Sequence, residues 1–309
     1  MTATTDSPAR QAGDYRRFLE PHVVSRLANM ELRARLVVEG FITGMHRSPY
    51  HGFSVEFAEH RQYMPGDEIR RIDWKLYGKT DRYYIKQYEE ETNLKAYLLL
   101  DTSASMGFSS GNHVSKLAYG SYLAAALAYL MIKQQDAVGL GLFDSTLKSY
   151  LPPHATRGYL RHVLTALQKV QAAGISGSAR ALHQMAERIS RRGLIIVISD
   201  LLDDPREVMA ALKHFRHKKN EVIVMHVLDP LERSFAFREA GMFRDMETGE
   251  QLTTLPWQIR RAYQSAMGDF IERYKRECRE NLVDYLALDT HTPFDVALVE
   301  YLSKRTRLY

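Results

Sequence analysis

The chain has 309 residues, 45% hydrophobic and 26% charged, with a formal net charge of +5. That length allows two domains of about 150 residues or one α/β domain with extensions, and the composition excludes disordered and collagen-like chains. A single cysteine, Cys278, excludes an intrachain disulfide and a cysteine-built zinc site and agrees with a reducing compartment.

Residues 1–19 are polar, lack an apolar signal region and read as a tail. No run reaches the roughly 18 apolar residues that a membrane span needs, so the expected location is the cytoplasm. Residues 20–93 read as an N-terminal helix followed by a β-rich extension. The helix is predicted over about 20–45, with Leu27, Leu32, Leu36 and Val37 on its apolar face. From Met45 to Glu91 glycine, aromatic and charged residues alternate, which predicts short strands and turns, one of them at Pro65-Gly66-Asp67.

From residue 94 to 309 apolar runs alternate with helical patterns. Strands are predicted at Ala96–Asp101, Ala137–Phe143, Leu147–Leu151 (an edge strand), Gly193–Asp200, Glu221–Asp229 and Val283–Leu288. Helices are predicted from Val114 to Gln134, where Leu117–Ile132 is uncharged and reads as a core helix, and over Arg157–Gln171 and Ser178–Arg191. Asp204-Pro205 is an N-cap with proline at the first helical position and opens a helix to His217. A hairpin-like insert is expected around Gly241–Leu252. Pro256 then opens a long helix with Ile259, Tyr263, Met267, Phe270, Tyr274, Cys278 and Leu282 on one face, and Thr292-Pro293 caps a final helix. This alternation predicts an α/β fold with a doubly wound, mostly parallel sheet of Rossmann type.

In such sheets ligands bind beyond the carboxyl ends of the strands. Two predicted strand ends are polar: Asp101-Thr102-Ser103-Ala104-Ser105 and Ser199-Asp200. A hard divalent cation takes oxygen ligands, and Mg²⁺ commonly uses one or two carboxylates. Asp101, Ser103 and Ser105 offer one carboxylate and two hydroxyls from a single turn, and Asp200 offers a second carboxylate, directly or through water. The alternative is a capping loop in which Ser103 or Ser105 satisfies the amides of the next helix.

Charge is segregated. Between Ser145 and Ser199 eight Lys and Arg face Glu187 alone, whereas from Glu221 to Glu300 acids outnumber bases fifteen to nine. This points either to an oriented surface with an acidic partner or to ordinary solvated helix faces. A phosphate loop at Gly78-Lys79-Thr80 fails because Asp73 stands where glycine is required, and Gly174-Ile-Ser-Gly-Ser does not match a G-x-S-x-G elbow. No recognition motif accompanies the basic segment, so nucleic acid is not expected as a partner. A Mg²⁺-dependent hydrolase at the strand-end site is the alternative function, although His113 reads as a surface group and no general base stands out.

The Asp101–Ser105 pattern and Asp200 resemble the metal-ion-dependent adhesion site of von Willebrand factor A-like domains. That resemblance implies Mg²⁺ or Mn²⁺ held by the two serines, a hydroxyl from a later loop, and a partner carboxylate at the remaining position. In Gly174–Leu182 the register puts Ser176 at the hydroxyl position, with Ser178 as competitor. Leu201 stands where a glycine often follows the last aspartate.

Farther upstream, His46-Arg-Ser48, Gly52–Phe57, Arg61–Trp74 (with Pro65, Asp67, Arg70 and Asp73), Lys86–Glu91 and the tail Asp289-Thr290…Pro293…Arg305 resemble domain-of-unknown-function family fifty-eight, over about Leu36 to Leu308. Members end in a von Willebrand-type domain, here residues 94–309, and are commonly paired with MoxR-type AAA+ ATPases. The resemblance therefore implies a metal-dependent protein-binding adaptor that works with such an ATPase in protein remodelling or maturation. Its metal residues would be Asp101, Ser103, Ser105, Ser176 and Asp200, with Lys148, Arg157, Arg161 and Arg180 favouring an acidic partner. The charges of the Pro65–Trp74 motif read as a salt-bridge cluster fixing an N-terminal flap.

Overall fold

A computed structural model of the chain describes residues 21–46, 60–62, 74–86, 94–111 and 113–307. The tail at 1–19, the Gly52–Phe57 stretch and the turn and charges of 65–73 lie outside the described residues. The predicted N-terminal helix is two helices, α1 (Pro21–Ser25) and α2 (Met30–His46). The break is stable because its polar groups are satisfied. The Asn29 side chain accepts the Leu32 amide at 2.8 Å, and the Arg33 guanidinium donates to the carbonyls of Ser25 and Leu27. The buried face is Met30, Ala34, Val37, Val38 and Phe41, while Leu32, expected inside, is 46% exposed. Strands β1 (His60–Gln62) and β2 (Tyr84–Lys86) pair antiparallel, and between them lies a helix not predicted from sequence, α3 (Trp74–Thr80).

The main body runs β3 (Lys95–Asp101), α4 (Lys116–Lys133), β4 (Ala137–Phe143), β5 (Leu147–His154), α5 (Arg157–Lys169), α6 (Ser178–Arg188), β6 (Leu194–Ser199), α7 (Pro205–His217), β7 (Glu221–Leu228) and α8 (Pro230–Ser234). It continues through β8 (Gly241–Arg244), β9 (Gln251–Thr254), α9 (Pro256–Glu280), β10 (Asp284–Asp289) and α10 (Phe294–Arg307). Six strands form one sheet in the order β10-β7-β6-β3-β4-β5, parallel except for β5. β5 is the edge strand expected from sequence, and only an edge tolerates Pro152 and Pro153, which have no N–H for a neighbour. One core, which includes α2, α4, α5 and α10, covers one face of the sheet, and a second, which includes α6, α7 and α9, covers the other. The doubly wound arrangement predicted from the strand–helix alternation is therefore present.

The strand order reverses between β3 and β6. From β3 the chain moves out to β4 and β5, then returns to β6 and continues the other way, so the loops after β3 and β6 diverge and leave a crevice at their carboxyl ends. α4 crosses beneath this crevice. Gly120 lets it approach closely, because a Cβ there would stand 2.9 Å from Leu100 Cδ1 and 3.1 Å from Ile198 Cγ2. On α9, Tyr274 and Cys278 are buried and Ile259, Tyr263, Met267 and Phe270 are half-buried, as the predicted face requires. Leu282 departs from that face: it lies beyond the Asn281 C-cap at φ +56° and is 70% exposed. Among the described residues no helix is long and apolar enough to cross a membrane.

The tight contact at Gly120 sets a test of packing. Gly120→Val should destabilise the fold by about 1–3 kcal/mol through overpacking, measured by urea unfolding. Gly158→Ala, with nothing within 4 Å of the new Cβ, should be neutral or slightly stabilising.

Candidate functional site

Asp101 ends β3 and is 3% exposed. Its Oδ1 accepts the Ser103 amide at 2.9 Å and its Oδ2 accepts the Ser199 hydroxyl at 2.6 Å, so one carboxylate ties both strand ends together. Ser103 Oγ and Ser105 Oγ lie 3.0 Å apart. Neither serine caps α4. That role belongs to Ser115, whose side chain accepts the Ala118 amide. The capping-loop alternative for Ser103 and Ser105 is thus corrected, and their hydroxyls gather beside Asp101. Burial, and after it the neighbouring Asp200, push the Asp101 carboxyl up to about 7. Its hydrogen-bond donors are neutral, so a buried acid here lacks a compensating charge of its own.

Asp200, 1% exposed, has such a charge. Its Oδ2 accepts from Lys116 Nζ at 2.7 Å, and the same ammonium reaches Glu232 Oε1 at 2.6 Å. Lys116 is fully buried. Burial alone would lower its pKa, but Asp200 and Glu232 together raise it. Burial lifts the Glu232 carboxyl despite this contact. Sequence reading passed over Lys116. The signal was a lysine directly before the uncharged run Leu117–Ile132, at the end of the helix where the dipole disfavours a cation.

The backbone of the second strand end is equally constrained. Leu201 has a φ of +51°, the left-handed conformation that favours glycine. The turn is held because the Leu201 amide donates to Ser199 Oγ at 2.9 Å, its carbonyl accepts from Tyr274 Oη at 3.2 Å, and its side chain is 1% exposed. The Asp200 carbonyl accepts from His226 Nε2 at 2.8 Å, which places the ring proton on Nε2 and leaves Nδ1 to accept from Tyr285 Oη at 2.5 Å. Burial pushes His226 down to about 4, so the imidazole is neutral.

The third loop precedes α6 and is fastened to the first, with the Ala104 amide donating to the Gly174 carbonyl at 3.1 Å and the Ala173 amide to the Thr102 carbonyl at 2.9 Å. Gly174 has φ +92°, and a Cβ there would lie 2.2 Å from Asp144 Oδ2. Ser178 opens α6 and donates to Asp203 Oδ2, in the loop after β6, at 3.1 Å. Ser176 turns instead to Glu247, in the turn between β8 and β9. Its amide donates to Glu247 Oε2 at 2.7 Å and its hydroxyl to Glu247 Oε1. Glu247 was not foreseen; the acid-rich run Asp245-Met-Glu-Thr-Gly-Glu250 was its trace in the sequence.

The four basic residues divide. Lys148 lies at the site end of the sheet, because Leu147 pairs with Phe143 at the carboxyl end of β4, and it bonds Asp144 Oδ2 at 2.8 Å. Arg180 is exposed on the first turn of α6. Arg157 and Arg161 are a correction. β5 runs antiparallel, so His154 pairs with Val138 at the amino end of β4, and α5 therefore begins at the opposite end of the sheet from Asp101. His113 is exposed as expected, its ring 4.0 Å from that of His291.

Among the described residues no group of three or more His, Cys, Asp or Glu converges, so a cation here would depend on hydroxyl oxygens. Asp101, Ser103 and Ser105 fit one. They bring a buried carboxylate with neutral donors, a second carboxylate close enough to repel it, and two adjacent hydroxyls, a set suited to a hard oxygen-seeking ion. Asp200 fits less directly, since Lys116 holds its Oδ2, and the Ser176 hydroxyl is engaged by Glu247.

Residues 59–271 match the family model described as protein of unknown function DUF58. The chain belongs to this family. Uncharacterized protein Rv1480 of Mycobacterium tuberculosis and uncharacterized protein Mb1516 of Mycobacterium bovis are each 27% identical over 235 residues, covering 74% of this chain and 73% of theirs. The crystal structure of the conserved hypothetical protein BatB from Bacteroides thetaiotaomicron covers 69% of this chain and 99% of its own, at 18% identity and a TM-score of 0.50. The SpRpn10 von Willebrand factor A domain aligns over 68% of this chain and 95% of its own, at 13% identity and a TM-score of 0.36. The DUF58 chain shares the fold of BatB, and its doubly wound, mostly parallel sheet is the architecture that the sequence resemblance to von Willebrand factor A-like domains implies.

Two measurements probe the buried groups. Lys116→Met should destabilise by about 3–5 kcal/mol, because it strands the buried Asp200 and the half-buried Glu232, and Glu232→Gln in the same chain should recover part of that loss in urea unfolding. The His226 ring resonances should stay constant from pH 8 to about 5. An unfolded imidazole takes its proton near pH 6.5, so the stability His226 contributes is present above that pH and is lost as pH falls toward 4, by up to about 3 kcal/mol. A titration midpoint above 6 would contradict its burial.

Proposed function

We propose that this DUF58 protein is a metal-dependent protein-binding adaptor, with Asp101, Ser103 and Ser105 holding Mg²⁺ or Mn²⁺ and Asp200 contributing its field beside them. The observation that carries this reading is the convergence, at the point where strand order reverses, of one buried carboxylate without a charged donor and two hydroxyls 3.0 Å apart. A bound cation would supply a positive charge able to attract a carboxylate. The protein's part is to hold the oxygens: Ser199 and the Ser103 amide orient Asp101, while Lys116 bonds Asp200 Oδ2. Lys148 and Arg180 add positive charge at the same end of the sheet, which favours an acidic partner. A von Willebrand factor A-like fold in this family is suited to protein interaction. The resemblance to chains paired with MoxR-type AAA+ ATPases suggests that such an ATPase works with it on a client in remodelling or maturation.

The hydrolase alternative needs a general base at the crevice. His226, the buried histidine beside Asp200, donates Nε2–H to a backbone carbonyl and is already bonded at Nδ1.

Calorimetric titration of Mg²⁺ and Mn²⁺ tests the metal reading. Wild type should give saturable heats that disappear in Asp101→Ala and in the near-isosteric Asp101→Asn, with circular dichroism confirming that both variants fold. Equal heats from wild type and variants would defeat it. Partners that co-purify with wild type should be lost with Asp101→Asn, an AAA+ ATPase among them.

A further inference from the structure

We infer that the β8–β9 hairpin is a built-in occupant of the site, with Glu247 holding a position that an acidic side chain of a partner protein takes only by displacing it. This rests on reading the crevice as an acceptor for carboxylate. Glu247 grips Ser176 at two points, amide and hydroxyl, and Ser176 belongs to the loop fastened to the Asp101 turn. The hairpin tip reaches that turn as well: the Met246 methyl stands 3.4 Å from where a Cβ on Gly107 would lie. The tip therefore lies over both loops.

Glu247 is presented by a turn that organises itself. Asp245 Oδ1 accepts the amides of Glu247 at 2.7 Å and Thr248 at 3.0 Å, the Asp245 amide donates to the Glu250 carbonyl at 2.8 Å, and Gly249 supplies φ +75°. The hairpin itself is lightly seated. β8 and β9 pair with each other and form a sheet of their own, and Met242 and Leu252 are each 62% exposed. Its inward anchor is Phe243, 5.5 Å from the ring of Phe235 and 4.9 Å from that of Phe237. A cleft of about 650 Å³ undercuts it, lined by Phe108, Glu232, Phe243, Leu252 and Tyr263 among others. A two-stranded hairpin with so little burial belongs to the low-stability end of local opening free energies, so it can leave without unfolding the sheet.

The charge segregation acquires a partner on this view. The acid-rich end of the chain sends a carboxylate to a loop within its own base-rich middle. A tethered carboxylate competes at a high effective concentration, so an external one binds weakly until the hairpin is moved.

The test uses full-length wild type, Glu247→Ala, Glu247→Gln and Asp101→Asn, with a synthetic peptide of residues 244–251 as probe in the presence of Mn²⁺. Amide exchange at Ser176 should quicken at least tenfold in Glu247→Ala and less in Glu247→Gln. The peptide, followed by NMR, should bind Glu247→Ala at least tenfold more tightly than wild type, and a peptide with glutamine at the position of Glu247 should not bind. Unchanged Ser176 exchange in Glu247→Ala, or equal peptide affinity for wild type and Glu247→Ala, would overturn the inference. Equal Mn²⁺ heats in wild type and Asp101→Asn would overturn the metal reading, whatever Ser176 does, so the two failures are separable.

Discussion

Acidic side chains buried at two adjacent strand ends are the constraint on which the rest of the site depends. Asp101 and Asp200 are each at most 3% exposed, and neither can be far from the other because their strands are neighbours in the sheet. Carboxylates withdrawn from water need compensation, or they take up protons. Lys116 compensates Asp200, and to do so it must itself be buried, with Glu232 accepting its second bond. The start of α4, the end of β6 and the first turn of α8 are thereby locked to one another by charge. Asp101 is left outside that exchange, with hydroxyl and amide donors alone, and burial and the neighbouring Asp200 raise its pKa.

The same constraint accounts for the local backbone. Leu201 accepts a left-handed conformation that costs a non-glycine residue on the order of 1 kcal/mol, and burial of its side chain offsets that. His226 is kept neutral because a charged imidazole would add a further buried charge, and in that state it can serve as a plain hydrogen-bond bridge between the Asp200 carbonyl and Tyr285. What surrounds the crevice is thus rigid: two strands, a core helix and a pinned turn. The hairpin inferred to cover it has exposed faces and Phe243 as its aromatic anchor. A rigid acceptor beneath a light cover is an arrangement that can be opened by a partner without loss of the fold.

The alternation of buried strands and helices was legible in the sequence because each strand from β3 to β7 except the edge strand is apolar on both faces, a pattern that short-range composition carries by itself. The polar strand ends were legible for the same reason, since Asp101 and Asp200 interrupt those runs abruptly. Less was legible at the N-terminus. The break between α1 and α2 depends on where the Arg33 guanidinium finds carbonyls, and the helical state of Trp74–Thr80 is not announced by its residues, which include Gly78 and Thr80. The basic segment misled at Arg157 and Arg161 because proximity in sequence says nothing about which end of the sheet an antiparallel edge strand will deliver them to.

The sequence by itself determined the class of fold, the two loops that could carry chemistry and the hydroxyl–carboxylate pattern of the first, because these follow from hydrophobic period and from residue type at strand ends. Tertiary structure alone decided who faces whom. It turned Ser178 toward Asp203 and Ser176 toward Glu247, placed Lys116 between Asp200 and Glu232, and brought an acid 71 residues distant in the chain onto the third loop. Such pairings are made across the sheet and from an inserted hairpin, where burial and charge balance choose the partners and no local periodicity records the choice.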